Sequence, residues 1–206
     1  MFTRRSVPAL IAGAAVAGWM TIAPAPADAP PRHIRGTIQA VQDHTVTVQT
    51  AGGKAVPIVL ADDAKVFTVA PADISAIKTG KFVGITSVER GGRRVAVEVH
   101  VFDESLRGRG EGQRPWDLES EPNMMTNANI AQVEAVGDDR VLTLAYKGGS
   151  QTIAVPPDAT IVTITPGSPD EVKPGAKVFV IAHAVPEGRL AAASIAVGKD
   201  GLKPPM

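Results

Sequence analysis

Val95, Val97, Val99 and Val101 fall on one parity of a short stretch of chain, with Arg94, Glu98 and His100 on the other. A period of two predicts a β-strand with one buried face and one solvated face. Similar segments, separated by Gly, Asp and Pro turns, occupy 36–41, 45–50, 56–60, 63–67, 81–88 and 94–102. A second series follows at 129–136, 140–146, 152–155, 158–162, 177–185 and 189–197. Short strands punctuated by turns predict an all-β barrel or sandwich. One helical segment is expected at 73–80, with Asp73 at its N-cap and Gly80 ending it. The matching place in the second series carries Pro166 and Pro169, where only a turn is expected.

The two series repeat one another. Thr45-Val-Thr-Val-Gln-Thr50 answers Arg140-Val-Leu-Thr-Leu-Ala-Tyr146, and each runs into a Gly-Gly turn, Gly52-Gly53 and Gly148-Gly149. Asp63-Ala-Lys-Val-Phe67 answers Asp158-Ala-Thr-Ile-Val162, and Ile77-Lys-Thr-Gly80 answers Val172-Lys-Pro-Gly175. Five or six strands in each copy suit a small closed barrel, which leaves no open sheet edge. The expected organisation is two tandem barrels at 33–102 and 127–199, a linker at 103–126 and a tail at 200–206.

The order Gly-Thr-Ile-x-x-Val, Thr-Val-Thr-Val, Asp-x-x-Val, Lys-x-Gly-x-x-Val and a final Ala/Val strand resembles exported bacterial small β-barrel domains of unknown function. Those domains are similar in style to the oligonucleotide/oligosaccharide-binding (OB) barrel. The resemblance covers both copies and not the linker. It describes strands and turns, so no catalytic residue carries over. The first copy is the closer match; the second has Asn129 where the opening glycine is expected.

The N-terminal segment changes the setting. Arg4 and Arg5 precede a weakly apolar run rich in Ala and Gly, then Ala-Pro-Ala-Pro-Ala-Asp-Ala. This is the pattern of a cleavable signal peptide over 1–27, cut after Ala27. The run is shorter than the roughly 20 strongly apolar residues of a membrane anchor and is broken by Pro8. Thr3-Arg-Arg-Ser-Val7 resembles a twin-arginine export signal. A periplasmic protein with no stable membrane insertion is the expectation. The chain has no cysteine, which excludes disulfides, thiolate metal sites and a cysteine nucleophile. Losing Arg4 and Arg5 from 21 basic residues leaves 19 against 21 acidic ones, which gives no electrostatic case for nucleic-acid binding. Aromatics are 4% of the chain, so the barrel cores must be aliphatic.

Candidate chemistry concentrates in the linker. About 24 residues is long for a connection inside a compact structure, and such loops are functional or disordered. Arg107, Arg109, Arg114, Trp116 and Asp117 stand there as candidate ligand or partner contacts. A second set, His100, Trp116, Met124 and Met125, suits soft-metal ligation of the Cu(I) type, although no regular metal spacing is present. No nucleophile elbow or phosphate-cradling loop occurs. Asp62-Asp63 and Asp138-Asp139 read as turn residues. The sequence therefore points to a non-enzymatic periplasmic binding or interaction module without a cofactor, its partner an envelope protein or small ligand. A copper-type carrier or sensor is the alternative.

Overall fold

The computed structural model describes residues 30–206; the expected signal peptide, its arginine pair and its cleavage site lie outside the described residues. Twelve strands account for the fold. The first five are β1 (Arg32–Gln42), β2 (Thr45–Thr50), β3 (Ala55–Pro71), β4 (Phe82–Arg90) and β5 (Arg93–Phe102). After them come β6 (Gly112–Trp116), β7 (Asn123–Val136), β8 (Asp139–Tyr146), β9 (Gly149–Val155), β10 (Thr160–Pro166), β11 (Lys177–Val185) and β12 (Arg189–Gly198). No helix among the described residues is long and apolar enough to cross a membrane.

The chain is all-β and contains a closed five-stranded barrel. Its hydrogen-bonded ring runs β1–β2–β3–β12–β11 and back to β1, with β3 and β12 parallel and the other neighbours antiparallel. A further circuit, β4–β7–β8–β9–β5, is joined through two residue pairs between β5 and β9, Arg94 with Ile153 and Val95 with Ala154. Strand β10 lies between the two, antiparallel to β3 and parallel to β5.

These pairings correct the expectation of one barrel per repeat. The closed barrel takes β1, β2 and β3 from the first series and β11 and β12 from the second. The other circuit takes β4 and β5 from the first and β7, β8 and β9 from the second. Residues 33–102 and 127–199 are thus interleaved in space. Alternation specifies which face of a strand is buried, not which of two similar partners lies beside it. The sequence pattern is equally satisfied by either connection.

The registers of the two circuits correspond closely. Gly36 faces Val178 where Ala128 faces Val83, and the bulge at Ile38/Ala40 of β1 recurs at Ile130/Gln132 of β7. The structural counterpart of Gly36 is therefore Ala128, not Asn129. A Cβ on Gly36 would stand 2.1 Å from the Gln49 carbonyl oxygen, so at this crossing β1 and β2 approach too closely for any side chain.

Three apolar clusters fill the molecule. The barrel is packed with aliphatic residues, Ile34, Ile38, Val46, Val48, Ile58 and Ile195 among them. The second circuit encloses Val83, Ile85, Val99, Ile130, Leu142 and Ile153. The aromatic side chains lie between the two: Phe67, Phe82, Phe102 and Phe179 pack in the seam with Val69, Val162 and Ile164. Small closed rings leave room for branched aliphatic side chains, and the wider seam takes the phenyl rings.

Two local expectations change. The segment at 73–80 forms only a three-residue 3-10 turn, Ile74–Ala76, capped by the Asp73 carboxylate on Ser75 N–H. Its counterpart with the prolines makes a turn of equal length, Pro169–Glu171, closed by a capping box from Ser168 and Glu171. Asp62 and Asp63 lie exposed within the long strand β3 rather than in a turn.

Candidate functional site

The stretch 103–126 is a structured strap, not a tether. Asp103 caps a 3-10 turn at Glu104–Leu106. The chain then passes Gly108, Gly110 and Gly112, all at positive φ, where glycine alone turns without strain. Strand β6 follows and pairs with β7 from Gly112 opposite Asn127 to Trp116 opposite Asn123. Buried Asn123 orders the next turn, accepting from Leu118 N–H and donating to the carbonyls of Glu119 and Glu121. Residues 123–126 belong to β7, so the expected linker ends inside a strand.

The strap is fastened on both sides of the seam. Arg107 pairs with Glu104 and donates to the Gly80 carbonyl at 2.8 Å and to Asn129 Oδ1, which ties it to the second circuit. At the other end, Asp117 Oδ1 accepts from Arg35 Nη2 and from His33 Nδ1, each at 2.7 Å, which ties it to β1 of the barrel. Burial works against the Asp117 charge, but the hydrogen bonds and positive charges of Arg35 and His33 prevail and hold its pKa below the usual carboxylate value. The His33 ring lies 4.2 Å from that of Trp116, and the Arg35 guanidinium stands 5.1 Å from the Phe179 ring.

Beneath the strap is a pocket of about 350 Å³, within the range of small-molecule sites. Its floor is the seam: Phe67 of β3, Phe102 of β5, Ile164 of β10 and Phe179 of β11. Its rim carries Arg109, Arg114 and Trp116 from the strap and Ser194 from β12. The Arg109 guanidinium lies 4.4 Å from the Phe67 ring centre and donates to Ser194 Oγ at 3.2 Å. Its main-chain carbonyl accepts from Asn127 Nδ2 at 2.9 Å. Arg114 donates to the Gly110 carbonyl and lies 5.4 Å from the Trp116 ring. Partial burial lowers the pKa of both arginines from the usual guanidinium value.

Of the five expected contact residues, Arg109, Arg114 and Trp116 meet at the pocket, while Arg107 and Asp117 brace the strap on either side. Of the expected metal set, His100, Met125 and Trp116 line the pocket and Met124 does not. Adjacent strand residues project to opposite faces, so Met124 and Met125 cannot both look into one cavity. Among the described residues no group of three or more His, Cys, Asp or Glu side chains is placed to hold a metal ion.

The pocket also corrects the reading of β5. Glu98 and His100 were expected on a solvated face, yet they are 1% and 3% exposed. The seam covers that face, and β10 runs alongside it. Glu98 Oε1 accepts from Thr86 Oγ1 at 2.5 Å and lies 3.2 Å from His100 Nε2, outside hydrogen-bond alignment. His100 Nε2, Asn127 Oδ1 and Trp116 Nε1 are buried atoms without a hydrogen-bond partner among the described residues. All three side chains line the pocket.

Sequence reasoning missed Phe67, Phe102, Phe179, Ile164, Ser194 and Asn127. They come from six strands and reach the seam only through the interleaved pairing. The scarcity of aromatic residues was the usable signal, since four of the five phenylalanines converge there. Comparison with protein-family models, curated proteins and solved structures found no match for the chain.

Proposed function

We propose that this is a non-enzymatic binding module of the periplasm, built from a duplicated, exchanged barrel unit, with the seam pocket as its ligand site. The observation that carries the reading is the pocket's lining. Aromatic and aliphatic side chains supply an apolar body, and three buried polar atoms, on Trp116, His100 and Asn127, have no hydrogen-bond partner among the described residues. Buried donors and acceptors are ordinarily satisfied, and a group left unpaired at a cavity wall is stabilised by a ligand that completes it. The export-type N-terminus of the sequence supports the compartment, and the matching registers of the two circuits support the duplication.

The test is titration of the whole chain with the neutral fluorescent probe N-phenyl-1-naphthylamine. We expect saturable one-to-one binding with a change in Trp116 emission, abolished by Ala196→Leu, which fills the pocket from β12. Absence of binding, or binding indifferent to that substitution, defeats the proposal.

A second reading, a soft-metal carrier, is favoured by one observation: His100, Met125 and Trp116 share the cavity. Two arginines at the same rim oppose a cation electrostatically, so this reading ranks lower. Titration with Cu(I) under reducing conditions separates the two. Quenching of Trp116 that His100→Gln and Met125→Leu abolish would establish the metal.

A further inference from the structure

Arg109 and Arg114 have no carboxylate partner among the described residues. Among the described residues neither makes an ion pair, although Arg35, Arg90, Arg93, Arg107 and Arg189 all do. No acidic side chain among the described residues lines the pocket. Acids elsewhere on the strap and on β5 are engaged otherwise: Asp117 by Arg35 and His33, Glu111 by the Lys147 N–H, and Glu98 by Thr86 beside His100. An arginine presents five N–H donors in a planar fork. Of the ten on this pair, two are used among the described residues, by Ser194 Oγ and the Gly110 carbonyl.

The two guanidinium groups are also held in place. Each lies near an aromatic ring, Phe67 for Arg109 and Trp116 for Arg114. Asn127 fixes the Arg109 backbone from β7, and Ser194 receives its side chain from β12. Ring contacts of this kind orient a guanidinium at little cost in side-chain freedom. Partial burial works against the charge of both groups, and no carboxylate among the described residues relieves it. Cations fixed at the rim of an apolar cavity, with most of their donors unspent, form a receptor for an oxyanion whose remaining surface is apolar.

We infer that the seam pocket takes an amphipathic organic anion, its carboxylate- or sulfonate-type head gripped by Arg109 and Arg114 and its apolar body lying on Phe67, Phe102 and Phe179. This rests on the pocket being a binding site, as proposed above, and adds the chemical class of the ligand. A guanidinium fork matches a planar or tetrahedral oxyanion and has no such match in a neutral molecule.

The test compares two probes that differ by one group. 8-Anilinonaphthalene-1-sulfonate is N-phenyl-1-naphthylamine with a sulfonate added. Whole-chain protein should bind the sulfonate about 10- to 100-fold more tightly than the neutral probe. Arg109→Gln with Arg114→Gln should remove that preference, so that the two probes bind within about twofold of one another. The single variants and Arg109→Lys, each checked for an unchanged thermal melt, keep the test valid if the double variant folds poorly. Octanoate should displace the sulfonate probe, and inorganic sulfate at equal concentration should not.

Failures fall into separate classes. If both probes bind alike and the arginine variants change neither, the anion inference is overturned and the binding site stands. If sulfate competes as well as octanoate, the apolar half of the ligand assignment is overturned. If neither probe binds, the binding-site reading fails and the inference fails with it.

Discussion

Val69 of β3 and Ile164 of β10 stand opposite each other, and the pairs on either side are reciprocal: Phe67 with Pro166, and Pro71 with Val162. Matching positions of the two series of segments thus meet across one antiparallel ladder. From that ladder the chain leads into the closed barrel on one side and the second circuit on the other, with the aromatic seam alongside. The strap completes a pocket there.

Because each circuit mixes strands from both halves of the chain, neither half should unfold alone. Urea denaturation followed by far-ultraviolet circular dichroism and by tryptophan fluorescence should give superimposable single transitions. Ile58→Ala in the barrel and Leu144→Ala in the second circuit should each lower that same transition, by about 2–5 kcal/mol. Two resolved transitions, one sensitive to each substitution, would show that the halves are independent.

Gly36→Ala should destabilise the protein by about 3 kcal/mol, because the new methyl group meets the Gln49 carbonyl and not a movable side chain. Ala128→Gly at the equivalent place should cost only about 1 kcal/mol, the ordinary penalty of a strand glycine. Chemical denaturation of the two variants tests this. A Gly36→Ala loss under about 1 kcal/mol would mean that β1 and β2 separate easily at that crossing.

Thr86→Val keeps the shape of the side chain and removes the donor to buried Glu98. The carboxylate then loses its one hydrogen bond inside the seam, and the expected loss is about 1–3 kcal/mol. An unchanged melting temperature would indicate that Glu98 is satisfied by another route.

The strap's barrel-side clasp should be acid-sensitive. Arg35 and His33 hold the Asp117 pKa low, so the folded state favours the ionised carboxylate. The stability this contributes is complete above the unfolded pKa of about 3.9 and is lost as pH falls through the lower folded value. Asp117→Asn should therefore melt below the parent protein at pH 7, with the difference closing as pH drops under about 4. A gap that widened in acid would contradict the assigned contact.

Arg109 and Arg114 line the pocket near solvent, so their attraction for an anionic probe should weaken as salt screens them. Raising salt from about 0.02 to 0.5 M should reduce sulfonate-probe affinity several-fold while leaving the neutral probe almost unaffected. Equal responses by both probes would place the sulfonate away from the arginines.

The alternation of Val95 to Val101, the paired Gly-Gly turns and the lack of aromatic residues were enough to predict an all-β chain with aliphatic cores. The strap's length and its arginine–tryptophan composition were enough to single out Arg109, Arg114 and Trp116. These are local properties, set by side-chain period, turn chemistry and charge, and a single sequence displays them. Partner choice between strands is not local. Two similar series of strand segments offer each strand two partners of nearly equal fit, and only the folded chain decides that β1 takes β11 and β4 takes β7. That decision buries Glu98 and His100 on a face that reads as solvated, and it draws Phe67, Phe102 and Phe179 from distant strands into one floor. The sequence marked 103–126 as a long linker; that it is an ordered strap over a cavity follows only from the way strands of the first and second series pair in the folded chain.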